Sequence, residues 1–186
     1  QVATARAGKQ GDAIVSELHG RYYEQTYRGN MFGITGGLTT TTAGGAATFT
    51  GICVVNPAGS GFNLVVNKVF VSQGAALTAE TEIGVMYGAS VAATTPLTTI
   101  FNRLGGGRAS VAAASAGLTL TAAMTAFIVL AGSGSGAISV PGIIPIAGVD
   151  FEGSLIIPPG WTLASYTSRV TTTALMFTFS WEETPI

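Results

Sequence analysis

The sequence predicts an all-β protein, an antiparallel β-sandwich of jelly-roll-like topology. From Leu38 onward, short runs of β-branched and aromatic residues alternate with clusters of Gly, Pro, Asn and Ser, which is typical of strands and turns. In the run 174–183, Leu175, Phe177 and Phe179 alternate with more polar residues, as in a half-buried strand. About ten such runs at spacings of roughly 8–15 residues are typical of a sandwich or a barrel.

The candidate strands are bounded by residues that favour turns. Asn56-Pro57 separates two strong runs, and Pro158-Pro159-Gly160 separates two more. Alanine-rich pieces such as 110–116 are short and lie close to glycine, so at most one short helix is expected. The predicted strands are 38–42, 47–55, 62–73, 81–88, 97–103, 118–124, 126–132, 149–157, 162–168 and 174–183.

The first 30 residues differ in character from the rest of the chain. They hold seven of the 17 charged residues, whereas the remainder is almost free of charge. The sequence therefore predicts a polar N-terminal arm over 1–30 and a single β-sandwich domain over 31–186. Within the arm, one strand or helical turn is expected around 13–18. Gln1 is an unusual first residue, and we expect residues before it in the natural protein.

Composition disfavours several classes of function. Only 9% of the 186 residues are charged and the net charge is −1, so the cationic surface that nucleic acids and anionic membranes require is missing. Cys53 and His19 are the single cysteine and histidine, which leaves no internal disulfide and no histidine-rich metal cluster. No apolar run approaches the roughly 20 residues of a membrane span. We expect no cofactor and no metal.

Candidate catalytic groups have simpler interpretations. His19 has charged neighbours, but the chain contains no G-x-S-x-G motif, so a hydrogen-bonded surface histidine is expected. Asp150 and Glu152 lie two residues apart on one predicted strand and would share a face, which could serve acid–base chemistry or bind a hard cation. An exposed strand face is the simpler interpretation for them, and likewise for Glu80 and Glu82.

Glycine-rich strings and the cysteine are interpreted as structural. The strings 132–136 and 105–108 resemble phosphate-binding loops, but the first lacks the Lys-Ser/Thr ending and neither clearly opens a helix. Both are therefore predicted to be turns or loop tips. Cys53 lies inside an apolar run and is predicted to be a core residue.

One cluster of the arm combines aromatic and basic side chains, which are enriched at protein interfaces. It is a candidate contact with a partner protein or a neighbouring subunit, while packing of the arm onto its own domain is the alternative. Its members are Arg21, Tyr22, Tyr23, Tyr27 and Arg28.

The low charge also favours self-association. Lysine, which commonly guards exposed strand edges, occurs only at Lys9 and Lys68. Subunits of obligate oligomers tolerate apolar outer faces because partners cover them. We therefore expect a stable homo-oligomer.

Three strings are similar to short β-rich virion proteins of tailed bacteriophages, namely NPAGSGFNLVVNKVFVSQ (56–73), EGSLIIPPGWTLASYT (152–167) and FSWEETPI (179–186). Jelly-roll head decoration or cement proteins are common in that group. The resemblance implies a non-enzymatic homotrimer on the outer surface of the phage head, bound to the major capsid protein, with the arm as the gripping element. Two alternatives remain: a tail module that binds a receptor or carbohydrate through Trp161 and Tyr166, and a hydrolase that uses Asp150 and Glu152.

Overall fold

In the part of the chain that it describes, the computed structural model contains one short helix and eleven strands. It describes residues 21–36, 39–41, 44–45, 49–75, 77, 79–89, 99–116, 122–124, 126–133 and 147–186. The elements are α1 (Tyr23–Tyr27), β1 (Met31–Thr35), β2 (Thr39–Thr41), β3 (Ile52–Val55), β4 (Phe62–Gln73), β5 (Thr81–Ala89), β6 (Phe101–Asn102), β7 (Ala113–Ala116), β8 (Ala126–Ser133), β9 (Ala147–Ile157), β10 (Trp161–Thr167) and β11 (Thr171–Pro185).

The strands form two antiparallel sheets packed face to face. Sheet 1 has the order β6-β1-β11-β4-β9, with β2 also paired to β11, and sheet 2 has the order β7-β3-β10-β5-β8. Eight of these strands, β1-β11-β4-β9 and β3-β10-β5-β8, make two four-stranded sheets whose connections follow the jelly-roll order. The predicted all-β, jelly-roll-like sandwich is therefore confirmed.

The main core lies between the two sheets. Along β11 the inward residues Leu175, Phe177, Phe179 and Trp181 are fully buried, while Met176 and Thr178 between them are partly exposed. This period of two is the one that predicted the strand, because successive side chains of a strand point to opposite faces. β11 pairs with β4 along most of its length, so the centre of sheet 1 carries the largest side chains of the core.

A second, smaller cluster covers the outward face of sheet 2. Cys53, Met86, Ala164 and Tyr166 point away from the main core and are buried together with Phe49 and Met124. Sheet 2 is therefore covered on both faces, which explains the nearly continuous burial along β10.

Most predicted strands match the structure closely. The run 62–73 is β4 with the same bounds, and the runs that became β5, β8, β9, β10 and β11 agree within three residues at each end. In two regions the prediction was too long: of the described residues 49–55 only 52–55 form β3, and of the described residues 99–103 only 101 and 102 form β6. The prediction 38–42 contains β2, and its residues 38 and 42 lie outside the described residues.

Other predictions fail or fall outside the described residues. The described part of 118–124, residues 122–124, forms no strand. β1 was not predicted because its sequence, MFGIT, is short and interrupted by Gly33, and it becomes a strand by pairing with β11. β7 was not predicted because its sequence, AASA, has no β-branched or aromatic residue, and it becomes a strand by pairing with β3. The element expected at 13–18 lies outside the described residues, and the short helix is α1.

Candidate interaction surface

The candidate interaction surface is formed by the N-terminal arm and by the part of the domain on which the arm packs. That part is the outer face of sheet 1, where β4 and β9 pair. Lys68 lies opposite Asp150 in the register, and its Nζ is 3.2 Å from Asp150 Oδ2. Between Asp150 and Leu155 the strand β9 carries extra residues, and Glu152 and Gly153 there have positive φ angles of 50° and 83°. This bulge presents two carboxylates beside one ammonium group.

The start of the described arm is anchored on those carboxylates. Arg21 Nη1 lies 2.8 Å from Glu152 Oε1, and the hydroxyl of Tyr22 lies 3.3 Å from Asp150 Oδ1. The Arg21 guanidinium and the Lys68 ammonium lie 5.5 Å and 5.8 Å from the centre of the Tyr22 ring, within the range of cation–π attraction. Residues 21 and 22 therefore pack onto their own domain.

The electrostatics of the anchor favour the charged forms. The backbone N–H of Glu152 donates to Asp150 and, together with Lys68 and Tyr22, lowers the pKa of Asp150 in spite of some desolvation. The hydrogen bond to Glu152 raises the pKa of Arg21. Desolvation, followed by the charge of Asp150, raises the pKa of Tyr22. At neutral pH Asp150 is therefore ionised, Arg21 is protonated and Tyr22 remains a hydrogen-bond donor.

The other end of α1 is fixed at the opposite edge of sheet 1. The carbonyl of Gly29 accepts a hydrogen bond of 2.8 Å from the side-chain amide of Asn102 on β6. The carbonyl of Asn30 accepts one of 3.0 Å from the backbone N–H of Glu183 on β11. Because β9 and β6 are opposite edges of sheet 1, residues 21–29 run across its outer face.

The middle of the arm is presented to solvent. Tyr23 and Tyr27 are 45% and 67% exposed, and their rings stack with centroids 6.0 Å apart and planes inclined by 9°. Arg28 forms an exposed ion pair of 2.8 Å with Glu24, one turn earlier. None of the residues of α1 is buried. Leu104, which is also exposed, lies beside Gly29 and extends the apolar part of this surface.

The five predicted interface residues thus divide into two groups. Arg21 and Tyr22 face the domain, whereas Tyr23, Tyr27 and Arg28 face outward. One of the two interpretations that the sequence left open, packing of the arm onto its own domain, describes Arg21 and Tyr22. Contact of the exposed residues with a partner stays a prediction.

The two carboxylates that bind the arm, Asp150 and Glu152, were noted in the sequence as a pair on one predicted strand, without the bulge that the structure shows. Asp150 and Glu152 were expected to share an exposed face of a strand. Both lie on β9 and are exposed, with Phe151 buried between them, but Glu152 lies in a bulge with a left-handed backbone. The sequence signal for this bulge is the Glu-Gly-Ser string that follows Phe151. Nothing local marked Lys68 as their partner.

The remaining candidates have structural positions. The Cys53 thiol is buried and donates to the carbonyl of Ser115, and burial raises its pKa to about 12. Glu80 and Glu82 are exposed, as expected. Trp161 packs against the main core, whereas Tyr166 is buried on the other face of β10, so the two rings form no shared patch.

The predicted turns and loops are partly described. Residues 103–106 form a turn in which Gly105 and Gly106 have positive φ, which confirms the turn predicted at 105–108. Residues 132 and 133 end β8, while 134–136 and His19 lie outside the described residues.

Within the described ranges, no three His, Cys, Asp or Glu side chains are grouped so that they could hold a metal ion. The same ranges contain no helix with the length and apolar character needed to span a membrane.

A scan against protein families, a search of curated proteins and a search of solved structures each found no match for this chain.

Proposed function

We propose that this chain is a structural virion protein, a decoration or cement protein that binds the major capsid protein on the outer surface of a tailed-bacteriophage head. In this proposal it acts as a homo-oligomer, most simply a homotrimer, and its role is adhesive rather than enzymatic. The proposal combines the resemblance of the sequence with the surface formed by the arm.

The observation that carries the proposal is the exposed, stacked pair Tyr23 and Tyr27. Aromatic side chains provide large contact areas at a small entropic cost, and they are common among the residues that dominate binding energy. Here the pair is held at both ends by contacts with the domain, through Arg21 and Gly29. Because the arm is already ordered, binding through it loses less conformational entropy than binding through a free peptide.

The edges of the two sheets support self-association. β9, at the edge of sheet 1, is protected by its bulge and by the charges of Asp150 and Glu152. β8, the neighbouring edge of sheet 2, has the sequence AFIVLAGS without charge or proline, and its Val129 is 46% exposed. Among the described residues β8 pairs only with β5. An unguarded edge of this kind favours coverage by another copy.

Oligomerisation would also strengthen capsid binding. Several arms on one rigid oligomer engage neighbouring capsid subunits together, and each contact after the first is intramolecular. Modest contacts made by Tyr23 and Tyr27 could therefore give a long-lived attachment.

The proposal is tested by adding the purified protein to expanded, undecorated phage heads and imaging them. Saturable extra density at regular lattice positions is expected. A folded, oligomeric protein that adds no lattice density would contradict the proposal. Light scattering at micromolar concentration tests the oligomer separately, and a monomer there would contradict that part.

Two variants identify the contact surface. Replacing Tyr23 and Tyr27 together by Ser should abolish saturable decoration while leaving the thermal midpoint nearly unchanged, since neither ring is buried. Val170→Ser is the matched control, because Val170 is equally exposed but lies in the turn before β11. Equal decoration by both proteins would show that the arm is not the gripping element.

A further inference from the structure

One segment, residues 103–112, closes an open side of the sandwich. It leaves β6, the edge strand of sheet 1, and enters β7, the edge strand of sheet 2. We call it the crossover segment. Its turn contains Gly105 and Gly106 with φ of 66° and 77°, and Leu104 is exposed, so apolar burial contributes little to its first half.

Arg108 fixes the middle of the crossover segment. Its guanidinium carbon lies 4.9 Å from the ring centre of Phe32 and 5.1 Å from that of Phe62. Phe32 belongs to the main core on β1 and Phe62 begins β4. Two aromatic faces within this range provide an attractive environment for a weakly hydrated cation.

A buried carboxylate completes the site. Glu183 on β11 is 0% exposed, and its Oε2 lies 2.6 Å from Arg108 Nη1. Its Oε1 accepts hydrogen bonds from the Ser110 hydroxyl and, at 3.0 Å, from the Val111 backbone N–H. Oε2 accepts no aligned hydrogen bond within the described residues, so its contact with Arg108 is an ion pair with unused hydrogen-bonding capacity.

A carboxylate that is fully removed from water needs a cation beside it, because an unpaired buried charge is strongly unfavourable. The two rings select the kind of cation. A guanidinium is planar, weakly hydrated and able to lie against aromatic faces while it donates several hydrogen bonds, whereas an ammonium is compact and strongly hydrated. The Arg108 side chain is still 35% exposed, so the site opens to solvent.

We infer that Phe32, Phe62 and Glu183 form a guanidinium-binding site, which the chain fills with its own Arg108. Binding of Arg108 in this site locks the crossover segment across the edges of both sheets. This inference is independent of the proposed virion function, because it concerns the isolated protein. It also links the lock to the arm, since the Asn102 amide donates both to the Arg108 carbonyl and to the Gly29 carbonyl.

The test is chemical rescue of Arg108→Ala. The variant should have a lower thermal midpoint, and ethylguanidinium should raise that midpoint in a saturable way by at least half of the loss. Ethylammonium at the same concentration is the matched control and should not raise the thermal midpoint of Arg108→Ala. In the wild-type protein, where the site is filled, ethylguanidinium should leave the midpoint unchanged or lower it. Parallel responses of variant and wild type, or equal rescue by ethylammonium, would overturn the inference.

A second variant assigns the carboxylate. Glu183→Gln in the Arg108→Ala background keeps the shape of the side chain but removes its charge, so rescue by ethylguanidinium should disappear. Rescue of undiminished size would show that Glu183 is not part of the site.

Hydrogen exchange tests the lock even if Arg108→Ala does not fold. Arg108→Lys keeps a positive charge near Glu183 but loses the planar group. We expect the Val111 amide, which is bonded to Glu183, to exchange at least about 10-fold faster than in the wild type, with amides of β4 unchanged. Unchanged exchange at Val111 would overturn the lock.

Discussion

The phenol oxygen of Tyr22 lies 3.3 Å from Oδ1 of Asp150, and this contact joins the N-terminal arm to the edge strand of sheet 1. The same carboxyl group accepts the backbone N–H of Glu152 at 2.9 Å and pairs with Lys68 at 3.2 Å. Asp150 thus connects the bulge of β9, the neighbouring strand and the arm.

The anchoring of the arm should weaken in acid. The pKa of Asp150 in the folded protein lies below its ordinary value of 3.8, so its stabilising effect is complete above that value and is lost as the pH falls through the lowered pKa. Thermal midpoints of the wild type and Asp150→Asn should differ by a constant amount between about pH 5 and about pH 8, and the difference should begin to shrink only below about pH 4. A difference that stays constant down to about pH 2 would exclude this role for the Asp150 charge.

Gly84→Ala should be strongly destabilising. A Cβ at this position would collide with the backbone carbonyl of Ile128 and lie 3.0 Å from the Cα of Val129, where β5 and β8 change register. Backbone atoms in a sheet cannot move without loss of pairing, so a cost of about 3 kcal/mol is expected in urea unfolding.

Gly132→Ala is the matched control for Gly84→Ala, since a Cβ there meets nothing within 4 Å. Its effect should stay within about 0.5 kcal/mol. Similar effects of the two substitutions would contradict the close approach at Gly84.

Cys53 should report global unfolding. Its thiol is buried, donates to the Ser115 carbonyl at 3.3 Å, and has a pKa of about 12, so almost no thiolate is present in the native state. Reaction with a disulfide reagent such as DTNB should be slow in native buffer, complete in denaturant, and limited to one thiol per chain. Rapid native reaction at the rate of a free cysteine would be inconsistent with this burial.

Phe179→Ala tests the centre of the core. The ring is 0% exposed and packs within the main cluster between the sheets. Its removal should cost about 3–5 kcal/mol in urea unfolding, whereas Val170→Ala, at a residue 57% exposed, should change the free energy by less than about 0.5 kcal/mol. A small loss for Phe179→Ala would mean that the sheets are less tightly packed than described here.

Local sequence patterns predicted some strands accurately and could not predict others. The run 62–73 was predicted with its exact bounds because it is long, β-branched and bordered by turn residues. β7 could not be predicted, because AASA has no strand preference and becomes a strand only by pairing with β3. The extent of 97–103 was overestimated because only two of its described residues, 99–103, find a partner on β1.

The candidate site was predicted in the same partial way. Aromatic and basic composition selected the five candidate interface residues of the arm, but composition does not tell which of them face the domain. That division depends on Glu152 and Asp150, which lie 131 and 128 residues away from Arg21 and Tyr22. Arg108 and Glu183 are also far apart in the sequence, and no local pattern marked either of them.

The amino-acid sequence by itself determined that this protein is an antiparallel β-sandwich, because side-chain alternation and turn chemistry are local properties of neighbouring residues. Only the tertiary structure decided the strand order, the bulge at Glu152 and the partners of each charge. A chain with few ionised groups gains most of its stability from apolar burial, which has no preferred direction and therefore favours the fold class without fixing individual contacts. The pairing of a few distant charges depends instead on the register in which the strands pair.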